Sequence, residues 1–112
     1  MIPSKRGGIV LVEFGYSEGI GSKKRPALVL STESYHQSRQ EVIVAAMTSN
    51  LSRVLAGDTM IKQWRAAGLL FPSVATGILR TIKANLIVRS LGSLSHQDLQ
   101  RVEKNLRHTL GL

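Results

Sequence analysis

Gly8-Ile9-Val10-Leu11-Val12-Glu13-Phe14 is a short aliphatic run, rich in β-branched residues and closed by a further glycine at position 15. Its length and its Val/Ile content predict a buried strand and not a helix. The same kind of run returns down the chain. Pro26-Ala27-Leu28-Val29-Leu30-Ser31 is a second, with proline at its first position, where a missing N–H costs a ladder least. Val42-Ile43-Val44-Ala45-Ala46-Met47-Thr48 is a third, running into the polar group Thr48, Ser49 and Asn50. Residues 59–62, 74–82 and 86–91 supply three more candidates. Between the first two runs lies a polar, glycine-rich connection, residues 15–24. Short strands joined by Gly/Ser loops, with no helical pattern between them, predict an antiparallel barrel or sandwich.

The period changes at the C-terminus. Ser95 is placed to cap a helix over about residues 95–110, with Asp98 at its third position and Leu94 facing Leu99 as a staple. Leu99, Val102, Leu106 and Leu110 recur at helical spacing, Arg101, Lys104 and Arg107 take the other faces, and Gly111 is a stop.

The chain has 112 residues, which fits one domain over 1–112 with a modest core and no staples. There is no cysteine, hence no disulfide, no thiol nucleophile and no Cys-based zinc site. Three scattered histidines without ligand spacing predict no metal. The sequence has no apolar run of membrane-spanning length and no secretory pattern, so the expected location is the cytoplasm, with no membrane partner. Fifteen Lys plus Arg against seven Asp plus Glu leave a net charge of +8, which favours a polyanionic partner. No carboxylate occurs between Asp58 and Asp98, a stretch that holds Lys62, Arg65, Arg80, Lys83 and Arg89.

A Gly-rich phosphate loop, a GxSxG elbow and a glycosidase-type carboxylate pair are all absent. What remains is polar groups at strand ends: Ser22, Lys23, Lys24 and Arg25 before the second run, Thr48 to Asn50 after the third, and Arg80, Thr81 and Lys83 in and beside the fifth. Arg25 before Pro26 is open, on its own, between a solvated loop end and a phosphate ligand. His36 reads as a surface or turn residue, Trp64 beside Leu69 and Leu70 as a packing anchor, and Tyr16 as a candidate base-stacking ring.

The order GGIVLVEF, Gly-rich loop, RPALVLS, VIVAAMTSN, LRTI and a GSLS-started helix resembles the MazF/PemK toxins of bacterial type II toxin–antitoxin systems. Residues 25–31 and 47–50 carry the resemblance most specifically, and Ala67 to Ser73 (AGLLFPS) is similar to a stretch of a PemK-like branch. The resemblance implies a mostly β fold, an SH3-like small barrel with an appended C-terminal helix, assembled as a homodimer. It implies a toxin that cleaves single-stranded RNA without metal or other cofactor, leaving 2′,3′-cyclic phosphate and 5′-hydroxyl ends. It also implies an acidic cognate antitoxin and contact with operator DNA only through the antitoxin complex. Arg25 matches the family arginine that serves the phosphate and donates a proton, and Thr48 the threonine whose hydroxyl binds a phosphate oxygen. An always-charged, forked guanidinium suits that task. Ser22, Lys23, Lys24, Ser49, Asn50, Arg80 and Lys83 are the expected RNA contacts. Two departures stand out: family acidic positions fall on Ile20 and Gly77, and Ala75 replaces an arginine of some members. Glu18 is the nearest carboxylate to the first of these and the expected substitute base. The alternatives are a catalytically silent SH3-like binding module and a topoisomerase poison on the same fold.

Overall fold

A computed structural model describes residues 5–15 and 22–112 of the chain. Among these residues six strands, β1 (Gly8–Gly15), β2 (Ser22–Val29), β3 (Glu41–Thr48), β4 (Thr59–Met60), β5 (Val74–Lys83) and β6 (Ile87–Ser93), form one sheet in the order β4-β5-β3-β2-β1-β6. Every pairing is antiparallel. Helix α1 (Glu33–Arg39) joins β2 to β3, and helix α2 (His96–Leu110) closes the chain.

The uninterrupted apolar reading of β1 has a direct cause: both faces of the sheet are covered. Ile9, Leu28, Ala45, Met47 and Ala75 pack with Ile61, Ala67, Leu69, Leu94, Val102 and Leu106 on one side. Val10, Val12, Ala27, Val29, Val42, Val44 and Ile82 form a second cluster on the other. Ile82 of β5 and Ile87 of β6 both contact this second cluster, although β3, β2 and β1 lie between their strands in the sheet. Two such distant strands reach one cluster only because the sheet curls around it, which gives the expected small barrel-like fold. A 3₁₀ turn at Ala84–Leu86 joins the two directly. Alternate residues of β3 face opposite sides, so Val42 and Val44 are buried on the barrel side and Ala45 and Met47 on the helix side, and the pairing with β5 shifts register between Ala45 and Met47.

Helix α2 begins as its sequence predicts. Ser95 Oγ accepts from Asp98 N–H at 3.1 Å, and Gly111 ends the helix with φ of +73°. Val102 and Leu106 are buried and Leu99 is half-buried, whereas Leu110, the last member of the expected stripe, is exposed. The fourth strand is only two residues long, because Lys62 and Gln63 turn away to bond Asp98.

The expected loop around His36 is instead helix α1. Seven residues without an apolar stripe carry no periodic signal; the helix is held by its ends. Thr32 Oγ1 accepts from Tyr35 N–H, Glu33 sits in the first turn, and Gln40 closes the helix in the left-handed conformation. His36, expected at the surface, is 1% exposed. Its Nε2 lies 2.6 Å from Ser31 Oγ, which also accepts from Ile43 N–H at 2.9 Å, while Nδ1 is buried with no partner. Ser31, expected to end the second strand, thereby ties β2, α1 and β3 together.

Burial holds the His36 imidazole below its ordinary pKa of 6.5, against a weaker upward pull from Glu33. The unfolded chain therefore binds more protons than the folded one as pH falls through that range, and stability drops with pH. Urea midpoints measured from neutral pH to about pH 5 are expected to fall. A His36→Gln protein should start lower and show a flatter profile, and equal slopes for the two proteins would contradict the assignment.

Candidate nucleic-acid interface

Pro26 is what separates the polar from the apolar half of β2. The strand runs four residues further back than its apolar run, to Ser22, carrying Lys23, Lys24 and Arg25 into the sheet as exposed side chains. Ala27 pairs with Ala46 and Leu28 with Ala45, and this register continued by two residues sets Arg25 level with Thr48. On its other side Arg25 pairs with Val12, and Lys24 with Glu13. One row down, Leu11 pairs with both Pro26 and Arg89, so β6 delivers a third cation to the same area.

Those residues border a groove of about 440 Å³. Its sheet side is lined by Leu11, Lys24, Arg25, Pro26, Met47 and Thr48. Ser49, Arg89 and Leu91 continue that lining, and the opposite wall is the segment from Gly68 to Phe71 together with Ser73. Three cations thus line the groove and no carboxylate does, among the described residues. Thr48 Oγ1 accepts from Asn50 N–H at 3.1 Å, which fixes the hydroxyl and leaves its own proton to donate. Asn50 Oδ1 is occupied by the Ser52 N–H and hydroxyl, so Asn50 shapes the turn beside the groove and does not line it.

Of the residues expected at the site, the structure brings Lys24, Arg25, Thr48 and Ser49 together. Lys23 is exposed one residue away on β2, and Ser22 is the first residue of that strand. Arg80 and Lys83 are not brought to the groove. They pair with Val44 and Glu41, placing them roughly 13 Å and 23 Å from Thr48 at the usual strand rise. Lys83 lines a separate hollow with Arg39 and Glu41. Glu18 and Tyr16 lie outside the described residues. The sequence reading counted Arg89 among the cations of the acid-free stretch and residues 67–73 among the family-like stretches, but assigned neither to the site, since nothing local shows that they face Arg25. Trp64 is half-buried against the core, with Arg65 4.8 Å from its ring centre.

The wall lies outside the strands and is tethered. Asp98, 1% exposed, accepts from Lys62 N–H at 3.2 Å and Gln63 N–H at 2.9 Å, and pairs with Arg101 at 2.9 Å. Arg101 also donates to Met60 O, and Ile61 N–H bonds Ser73 O. Gly68 (φ +88°) and Gly92 press backbone to backbone: a Cβ on Gly68 would overlap Leu91 O, and one on Gly92 would overlap Ala67 O. The wall therefore rests directly on β6. Among the described residues no cluster of three or more His, Asp or Glu side chains is arranged to hold a metal ion.

The architecture is a small antiparallel barrel with an appended helix and, at its strand ends, a groove whose described lining holds three cations and no carboxylate. Residues 5–110 match the family model of the PemK-like, MazF-like toxins of type II toxin–antitoxin systems, and the chain belongs to that family. The fold is similar to that of a MazE–MazF complex from Deinococcus radiodurans (TM-score 0.81, 20% identity, 98% of each chain covered). It is also similar to an endoribonuclease from a mycobacterial species (TM-score 0.77, 16% identity, 100% of this chain and 95% of that one). A third likeness is to the Mycobacterium tuberculosis toxin MazF-mt6 (TM-score 0.72, 23% identity, 92% and 97% covered). No curated protein matches the chain in sequence.

Replacing Asp98 by Ala strands two backbone N–H groups and Arg101, at a cost of roughly 3 kcal/mol. Urea unfolding is expected to show that loss, with Asp98→Asn intermediate; a stability within about 0.5 kcal/mol of wild type would show that the wall does not depend on this tie.

Proposed function

We propose that the chain is the toxin of a type II toxin–antitoxin system and acts as an endoribonuclease on single-stranded RNA. The observation that carries this is the groove that Arg25 and Thr48 both line from adjacent strands, with Lys24 and Arg89 beside them and no carboxylate among its described lining residues to repel a phosphate. Family membership and a likeness to proteins described as endoribonucleases, one of them bound to its cognate antitoxin, support the reading.

In the proposed reaction the ribose 2′-oxygen attacks the neighbouring phosphorus. The 2′-O–P bond forms, the P–O5′ bond breaks, and the products are a 2′,3′-cyclic phosphate and a 5′-hydroxyl. Arg25 stabilises the charge that builds on the phosphorane and hydrogen-bonds the departing 5′-oxygen, while the Thr48 hydroxyl donates to a non-bridging oxygen. The proton of the 2′-OH passes to a carboxylate base, for which Glu18 is the candidate. Glu13, one cross-strand step from Arg25 through Lys24, is its natural comparison. The departing 5′-oxygen takes its proton from the Arg25 guanidinium, which solvent reprotonates, and the carboxylate returns the 2′-OH proton to solvent, so the step balances without a metal. The same groove suits an acidic antitoxin segment that folds across Arg25 and blocks it. A homodimer in the cytoplasm, touching operator DNA only with the antitoxin, completes the proposal. The second reading, a binding module without turnover, draws on the same lack of a carboxylate in the groove's described lining.

With EDTA present, wild type is expected to cut a long single-stranded RNA, and Arg25→Ala to lose roughly 10²–10³ in turnover. Arg25→Lys should rescue little, since it loses the planar fork, and Thr48→Ala should cost less than Arg25→Ala. An Arg25→Ala protein that is folded and cuts at the wild-type rate defeats the mechanism. Among carboxylates, Glu18→Gln and Glu13→Gln report which one carries the base function. Salt dependence gives an independent measure. Three groove cations predict a log–log slope near −2 for binding, at about −0.7 per neutralised phosphate. A slope near −3.5 would instead require RNA to run on to Arg80 and Lys83.

A further inference from the structure

The wall of the groove carries a feature that phosphate chemistry leaves unused. Phe71 is 62% exposed and Leu70 84% exposed, yet both line the groove. Of the aromatic side chains described, Tyr35 sits on Arg39, Trp64 packs on the core, and Phe71 borders the cations. The backbone beneath Phe71 is tied down. Leu69 is buried and its N–H bonds Trp64 O, while Phe71 O accepts from the buried Ser73 hydroxyl at 2.8 Å, with Pro72 between them. An exposed ring on an anchored turn loses little freedom when something covers it.

A ligand suited to this surface presents a flat apolar face next to a negative charge. A nucleotide does so, its base lying one sugar away from its phosphate. We propose that Phe71 is a base platform: a nucleobase beside the phosphate gripped by Arg25 and Arg89 stacks on the Phe71 ring, with Leu70 against its edge. This inference rests on the groove being an RNA site. Because every base has a π face, the platform fixes where a strand lies in the groove and does not select one base.

The test measures binding of a short single-stranded RNA in which one base at a time is replaced by an abasic sugar, with a 2′-deoxy sugar at the cleaved position to prevent turnover. Wild type should lose roughly tenfold in affinity when one particular base is removed. Phe71→Ala should bind the intact strand about as weakly as that, and lose nothing further from the same abasic position. Phe71→Trp should restore the sensitivity. The inference is overturned if Phe71→Ala shows the wild-type sensitivity at every position, if no abasic position matters to wild type, or if the strand does not bind. In the first case the ring serves another occupant, such as an apolar anchor of an acidic peptide. Failure of the ribonuclease reading would show separately, as intact RNA that is bound in the groove and never cut.

Discussion

One buried carboxylate fixes the start of α2 against the chain that leaves β4. Asp98 sits in the first turn of α2, where the N-terminal end of the helix favours negative charge, and it spends its oxygens on the backbone of residues 62 and 63 and on Arg101. A carboxylate taken out of water is costly unless its lone pairs are filled, so the arrangement is nearly all or none. With the tie made, the chain after β4 leaves the sheet at a fixed point and Ile61, Ala67 and Leu69 reach the core. Residues 68–71 then stand opposite Arg25 and Thr48. A second aspartate works alongside: Asp58 accepts from Leu55 and Gly77 N–H groups, and Asn105 of α2 donates to Thr59 and to Asp58 O. Helix α2 thus holds the connection between β3 and β5 at several points.

The electrostatic character of the groove follows from where the acids go. Asp58 and Asp98 are consumed by backbone N–H groups, Glu103 pairs with Arg6, and Glu41 with Arg39. Each of these pairings draws a carboxylate into structural work away from the groove, while Lys24, Arg25 and Arg89 line it. A field of one sign in a concave site attracts phosphates and orients them before any specific contact is made. Apolar lining from Leu11, Pro26, Met47 and Leu91 adds surface on which the uncharged parts of such a ligand can rest.

Much of the sheet and the last helix could be read directly, because their determinants are local. Gly8 to Phe14, Pro26 to Val29 and Val42 to Thr48 each carry a β-branched run, and Ser95, Val102, Leu106 and Gly111 mark a helix by spacing and caps. Helix α1 escaped that reading since its seven residues are fixed by Thr32 and Gln40 at the ends and by one buried histidine, not by a stripe. Arg25 and Thr48 were visible through motif order. Arg89, Leu70 and Phe71 were legible as a cation and a family-like stretch but not as parts of the site, because each enters the groove from an element far away in the chain.

The sequence by itself determined the strand content, the capped C-terminal helix, the excess of positive charge and the family pattern, all of which depend on neighbours a few residues apart. Tertiary structure decided which cations share a groove. Arg25 and Arg89 meet because β2 and β6 flank β1, whereas Arg80 and Lys83 follow β5 away from Thr48. Strand register and the Asp98 tie are long-range choices, set by which faces are buried and which N–H groups find an acceptor, and no local spacing encodes them.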